Sequence, residues 1–304
     1  MASQTVTEPP ASGDSPQGLA FAVSAYLMWG ILPLYMKLLA HISPVEVVAH
    51  RIIWSVPVAG ALLIALRRTG DLRRSFSHPK TLAQGCLTAG LITINWGIYI
   101  WAINSGHALE AALGYYINPL FSVFLGAVLL RERLSRPQIA AIALAALAVA
   151  ILTIDTGRVP WLALSLTLSW GFYAFFKKSL PIGPNQGFLM EVLILLLPAL
   201  GYVAYLTATG TGHFGGMGWD TALLLGCGPI TAIPLIVYAN GAKLLRLSTI
   251  GILQYITPTM IFLAAVFLFG EPMGHARMVA FPLIWAALAI YTGATLSQAR
   301  RRRA

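Results

Sequence analysis

Glu46, His50 and Arg51 fall within the ten-residue stretch EVVAHRIIWS, residues 46–55, inside an otherwise apolar run. Glu46 and His50 are four apart and share one helical face, with Arg51 beside them. A carboxylate, an imidazole and a guanidinium so placed can respond to protons or attract and orient a charged solute. Lys37, at the end of the preceding apolar run, and Arg51 are each able to pair with Glu46. If the run crosses a membrane, a charge at its centre costs at least ~2.5 kcal/mol. Ser43 reads as an N-cap and Pro44 as the first helical residue, since proline has no amide hydrogen to leave unpaired. The cluster then sits roughly 3 to 10 Å inside, at ~1.5 Å per residue. Two accounts of Arg51 stay open: it snorkels outward to the interface, or it faces the interior.

Three further stretches carry polar and aromatic side chains at helical spacing. In NWGIYIWAIN, residues 95–104, Asn95, Trp96 and Tyr99 fall on one broad face. LGYYINPL, residues 113–120, places Tyr115, Tyr116 and Asn118 next to Pro119, and ILQYITPT, residues 252–259, places Gln254, Tyr255 and Thr257 next to Pro258. Each proline lacks an amide and crowds the preceding turn, so both helices are expected to bend or open there. Backbone groups freed within a membrane must be satisfied by neighbours or by water in a cavity. Tyr99, Tyr115, Tyr116, Asn118, Gln254 and Tyr255, with Asn95, Trp96 and Tyr238, are therefore expected to line a substrate cavity.

The elements that position these residues follow from composition. Of 304 residues 58% are hydrophobic and 10% charged, and the mean hydropathy is +0.76, far too apolar for a soluble domain of this length. Ten apolar runs near the ~20 residues that cross a bilayer as helix lie at 17–40, 44–66, 81–103, 109–130, 137–154, 160–180, 187–207, 219–242, 248–269 and 275–297. The fold class is an all-α integral membrane protein. Almost nothing is left for a soluble catalytic domain, and no glycine-rich phosphate loop is written, so an energy source would be a gradient. Asp155 and Asp220 fall at span ends and no serine and histidine are matched at depth, which argues against an intramembrane protease. Cys86 and Cys227 lack ligand-like spacing; no metal, cofactor or disulfide is expected. Residues 1–16 read as a disordered cytoplasmic tail without the charged start of a signal peptide, and 298–304 as a basic cytoplasmic tail.

With both termini in the cytoplasm, sixteen of the twenty Lys and Arg residues fall on that side, including Arg67, Arg68, Arg73, Arg74, Arg131, Arg133, Lys177, Lys178, Lys243, Arg246 and the terminal arginines. Topology thus accounts for the formal charge of +10, and basic residues scattered over short loops do not make a nucleic-acid surface.

The chain is also written twice. An offset of 141 aligns Trp29 with Trp170, Lys37 with Lys178, Pro57 with Pro198 and Gly60 with Gly201; an offset of 139 aligns Tyr99 with Tyr238, Tyr116 with Tyr255, Pro119 with Pro258 and Glu132 with Glu271. Each copy holds five spans, an odd number, so the second copy enters from the opposite side. Inverted repeats related by an in-plane pseudo-twofold axis are an architecture of secondary transporters. Pro57, Pro198, Pro119 and Pro258 are read as kink positions. The 141 offset also places Glu191 opposite His50, which suggests a proton-responsive pair across the pathway. Spans 5 and 10, rich in alanine and branched aliphatics, are expected at the periphery.

The AYLMWG of span 1, HRIIWS in span 2, LEAALGYYINPL, RLSTIGILQYITPT and the glutamates closing spans 4 and 9 resemble the RarD proteins of the EamA group, within the drug/metabolite transporter superfamily. The resemblance covers residues 17–297. It implies a multi-pass permease of the bacterial cytoplasmic (inner) membrane, built from two inverted EamA repeats, 17–156 and 157–297, with spans 1–4 and 6–9 around a central cavity. Relatives in the superfamily export amino acids, metabolites or drugs, and RarD proteins are commonly described by a chloramphenicol-sensitivity phenotype, which does not name a substrate. The reading that follows is a secondary-active transporter of a small metabolite, amino-acid-like compound or drug, working by alternating access as a monomer or homodimer. Lys37, Glu46, His50 and Arg51 would guide charge at the outer mouth and Glu191 at the inner. A passive channel is the nearer alternative and an intramembrane enzyme the more distant.

Overall fold

The computed structural model describes residues 15–65, 69, 72, 76–129, 134–216, 218–242, 244–245 and 247–301, and among these every regular element is helical. The tail up to residue 14, Glu132, the terminal residues 302–304 and the basic residues Arg67, Arg68, Arg73, Arg74, Arg131, Arg133, Lys243 and Arg246 lie outside the described residues.

Proline starts four of the spans. Helices α1 (Pro16–Leu38), α2 (Pro44–Ala65), α3 (Pro79–Asn104) and α7 (Pro184–Thr209) each begin on proline, whose missing amide would have had no intrahelical partner. Helix α4 (Ala108–Leu129) starts differently: the Glu271 carboxylate accepts from Ala108 N at 2.6 Å and Leu109 N at 2.9 Å, satisfying two of its open donors. Helix α5 (Arg136–Thr156) opens on a capping box between Ser135 and Gln138 and stops at Gly157, whose φ of 66° suits a left-handed cap. Helices α6 (Trp161–Lys178) and α8 (Asp220–Ala242) follow in the second half, and α10 (His275–Arg301) is the last described helix.

The ninth span, expected over 248–269 with a bend or opening at Pro258, is not one continuous helix. It is α9a (Leu247–Leu253), a two-residue break, α9b (Ile256–Leu263) and a π-helical turn at Ala264–Leu268. The break at Gln254 and Tyr255 sits where Pro258 acts, because a proline removes the bond to the carbonyl four residues back. Pro119, Pro57 and Pro198 do not open their helices, which run uninterrupted through them. At Pro119 neighbouring bonds pin the turn: Thr167 Oγ1 donates to Gly114 O at 3.0 Å, and the Tyr115 hydroxyl to Asn95 Oδ1 at 3.2 Å. Among the described residues, eight helices are long and apolar enough to cross a membrane; α6 and the broken ninth span fall outside that set.

Helices α5 and α10 pack mainly on each other. Ala141, Ala145, Ala148 and Leu152 form a buried stripe on α5 at steps of three and four, and Ala280, Ile284 and Ala287 form its counterpart. In the rest of the bundle α1 and α2 pack on α8, α2 on α7, α3 and α4 on α6, and α9b on α1 and α4. Gly228 lets α8 approach α2 so closely that a methyl group there would run into the Trp54 carbonyl. Lipid offers no hydrophobic gain for helix association, so such contacts and interhelical hydrogen bonds of about 0.6 kcal/mol each hold the bundle. Tyr35 to Leu223 O at 2.5 Å and Thr257 to Tyr26 O at 2.9 Å are two such bonds.

Candidate functional site

Spans 1–4 and 6–9 enclose a cavity of about 830 Å³. Asn95, Trp96 and Tyr99 reach it from one face of α3, Tyr115 and Asn118 from α4, and Tyr238 from the end of α8. Gln254 enters at the break in the ninth span, where the interrupted helix turns this side chain and Pro258 inward. These residues do not hang freely. Asn95 Nδ2 donates to Leu166 O at 3.2 Å and Ser169 Oγ at 3.0 Å, while its Oδ1 accepts from Tyr115, so one buried amide ties α3, α4 and α6 together. The Tyr99 and Tyr115 rings meet edge to face at 5.7 Å. The Tyr99 hydroxyl and Asn118 Oδ1 are buried without a hydrogen-bond partner.

Arg51 lines this cavity and does not snorkel to an interface: it is 3% exposed, its Nε donates to Thr231 Oγ1 at 2.9 Å, and its guanidinium lies 4.4 Å from the centre of the Trp96 ring. The other members of the expected charged cluster go elsewhere. Glu46 pairs with neither Lys37 nor Arg51; it accepts from His213 N at 2.7 Å and His213 Nδ1 at 2.9 Å. His50 Nδ1 accepts from Trp54 Nε1 at 3.1 Å, and its ring stacks on Phe214 at 4.9 Å. Lys37 donates to Ile103 O at 3.3 Å and lies over Phe269. His213 and Phe214 belong to TGHFGG, residues 211–216, in the α7–α8 connection, and this segment covers the N-terminal end of α2. His41 joins the same patch through Asp220 at 3.0 Å.

At the other end the cavity is lined by Lys177, Lys178, Leu180 and Ile182, at the end of α6 and in its connection to α7. Glu191 lies behind this lining, 1% exposed, paired with Lys177 Nζ at 2.6 Å and accepting from the Tyr173 hydroxyl at 3.3 Å. His50 and Glu191 are thus each tied up locally and do not face one another.

Tyr116 and Tyr255 point away from the cavity. Adjacent residues on a helix differ by about 100°, so Tyr115 and Tyr116 cannot face the same way. Tyr116 bonds Thr259 Oγ1 at 2.7 Å and meets Phe281 and Trp285 of α10 edge-on, while Tyr255 faces Tyr291 and Thr292 of the same helix. Sequence reasoning missed Tyr26, Trp29, Trp170, Tyr173 and Lys177 as cavity residues. Trp29 and Trp170 carried a usable signal, since they coincide under the 141 offset. Thr231 and His213 carried none: a threonine in an apolar run and a histidine in a glycine-rich loop look ordinary. Among the described residues no group of three His, Cys, Asp or Glu could hold a metal ion.

Comparison with known proteins gives a family and several relatives of nearly full length. The model of the EamA-like transporter family matches residues 16–154. Protein RarD of Streptomyces exfoliatus is 44% identical over 295 residues, covering 97% of this chain and 94% of that one. Protein RarD of Escherichia coli (strain K12) is 38% identical over 286 residues, covering 94% and 97%. The uncharacterized transporter YojE of Bacillus subtilis (strain 168) is 38% identical over 298 residues, covering 96% and 97%. The crystal structure of a protein matches with a TM-score of 0.58 at 21% identity, over 90% of this chain and 96% of its own, a likeness of fold alone.

Proposed function

The chain belongs to the EamA-like transporter family, and from that premise we propose that it is a secondary-active transporter carrying a small metabolite, amino-acid-like compound or drug across the bacterial cytoplasmic membrane by alternating access. One observation carries the reading: a cavity of about 830 Å³ at the centre of the bundle reaches the α6–α7 connection at one end, while no described residue of the 211–219 connection lines it at the other. That asymmetry is what a carrier halted in one of its two access states presents. A pore open at both ends would lack it.

The packing supports two inverted repeats, 17–156 and 157–297. Adding five to each helix number turns the α1–α8 pair into α6–α3 and the α4–α6 pair into α9–α1, and all four pairs are in contact. The match extends to single residues. Gly30 of α1 abuts Met260, Gly171 of α6 abuts Phe121, and these pairs are related by the same offsets of 141 and 139. Under the orientation favoured by basic residues, both termini are cytoplasmic, the open end faces the cytoplasm and the His213 segment faces outward.

The test is transport by purified protein in proteoliposomes loaded with candidate solutes. Saturable uptake that is accelerated by the same solute on the far side is expected of a carrier. Flux that rises linearly with concentration and shows no counterflow would sink the reading in favour of a channel.

A further inference from the structure

Arg51 is a buried cation whose neutralising charge the described residues do not supply. Glu46 is taken by His213, Glu191 by Lys177, Glu271 by the amides of Ala108 and Leu109, Glu110 by Arg277 and Asp220 by His41. Asp155 is exposed near the end of α5, and no described carboxylate lies within ion-pair distance of Arg51. The guanidinium is nevertheless held rigidly. Thr231 accepts from its Nε at 2.9 Å and is itself fixed by donating to Cys227 O at 2.7 Å, while Trp96 lies against the guanidinium face. Arg51 Nη1 is buried with no partner, in a side chain that is 3% exposed and lines the cavity. A cation kept in an apolar site without its counter-charge is costly, and a ligand that brings the charge removes that cost.

The chemistry of the walls narrows the ligand. Guanidinium is planar and matches the two oxygens of a carboxylate. Trp29, Trp96, Tyr99, Tyr115, Trp170 and Tyr238 surround the cavity with flat apolar faces, which suit an organic body and exclude the water that a small inorganic ion would keep. Asn118 Oδ1, buried and unpartnered on the next turn from Tyr115, is an acceptor that calls for a donor. Of the two lysines at the far end of the cavity, Lys177 offers no rival anion point because Glu191 already neutralises it, and Lys178 is exposed where Arg51 is buried.

We propose that Arg51 is the anion-recognition point of the cavity and that the ligand is a small organic carboxylate with an apolar body of aromatic size and a hydrogen-bond donor. That this ligand is cargo rests on the transport reading; that Arg51 binds it does not.

The experiment measures thermal unfolding of the purified full-length protein with matched acids and amides: 3-phenylpropionate and 3-phenylpropionamide, indole-3-acetate and indole-3-acetamide, phenylalanine and phenylalaninamide. Chloride and phosphate are run alongside. At least one acid is expected to raise the melting temperature while its amide and the inorganic ions do not. Arg51→Met should abolish that shift without lowering the melting temperature of the unliganded protein, and Arg51→Lys should keep the preference for acid with affinity reduced by about tenfold or more, since an ammonium cannot reproduce the fork. The proposal is overturned if no acid stabilises the protein, if amides or inorganic ions do so equally, or if Arg51→Met retains the preference. Should Arg51→Met not fold, an Arg51→Lys protein with undiminished affinity overturns it as well. Counterflow of the stabilising acid separates the two readings. Stabilisation without counterflow leaves the site standing and removes transport, whereas counterflow of neutral solutes that Arg51→Met leaves unchanged does the reverse.

Discussion

The proposed alternating access requires the His213 segment to let go, so on that proposal loosening its contacts should open the end of the cavity that it covers. Glu46, 2% exposed, holds the segment through two hydrogen bonds, from His213 N at 2.7 Å and His213 Nδ1 at 2.9 Å. A hydrogen bond to a charged group contributes about 1.5 kcal/mol at the low end of its range. Glu46→Ala removes both acceptors, about 3 kcal/mol, which shifts the balance between access states by roughly 150-fold. His213→Ala leaves the backbone bond and removes about 1.5 kcal/mol, a shift of about tenfold. Asp220→Asn weakens the pair with His41, whose side chains are 54% and 32% exposed, and should change the balance only slightly. The assay places a cysteine at Ser122, which lines the cavity, after replacing Cys86 and Cys227 by serine, and applies a membrane-impermeant thiol reagent from each side in turn. Labelling from the α7–α8 side should be fastest in Glu46→Ala, intermediate in His213→Ala and near the parent rate in Asp220→Asn. Equal rates in all three, or Asp220→Asn exceeding Glu46→Ala, would refute the assignment of this segment as the closure.

Two further perturbations test the packing that surrounds the cavity. Glu191→Gln leaves Lys177, 18% exposed, beside a neutral amide; breaking a buried pair costs about 3–5 kcal/mol, and the partial exposure of Lys177 brings this toward about 2–3. Thermal unfolding should therefore show Glu191→Gln clearly less stable than the parent, with much of the loss recovered in a Lys177→Met, Glu191→Leu double variant. Gly228→Ala drives a methyl group into the Trp54 carbonyl where α8 crosses α2, whereas Gly60→Ala meets nothing within 4 Å. Size-exclusion profiles of the detergent-solubilised proteins should show the first aggregated or poorly expressed and the second indistinguishable from the parent.

Much of the architecture was legible in the chain because the bilayer imposes it. Every backbone polar group must be satisfied within the membrane, so runs of about 20 apolar residues can only be helices, and proline at their first positions marks where they start. The α3 face of Asn95, Trp96 and Tyr99 was legible for the same reason: helical spacing fixes which side chains share a side. Tyr116 and Tyr255 were misread as cavity residues because each was counted with its cavity-lining neighbour, Tyr115 or Gln254, although a step of one residue turns the side chain toward another helix. Pro119 was expected to behave like Pro258. The proline ring is identical in both, but the bonds that pin the preceding turn come from α3 and α6, which the local sequence does not contain.

The partners of the charged side chains were the part that only the tertiary structure decided. EVVAHRIIWS places Glu46, His50 and Arg51 side by side, and sequence alone favours pairing among them or with Lys37. The fold sends each to a different neighbour: Glu46 to a histidine 167 residues away, Arg51 to a threonine 180 residues away, and Lys37 to a backbone carbonyl 66 residues away. The sequence by itself determined that charged side chains would lie in this apolar helix, because hydrophobic length and periodicity are local properties, and it left open whether Arg51 turns outward or inward. Which of those charges would be neutralised and which left facing the cavity depends on contacts between helices, made when α7, α8 and the connection between them close over α2.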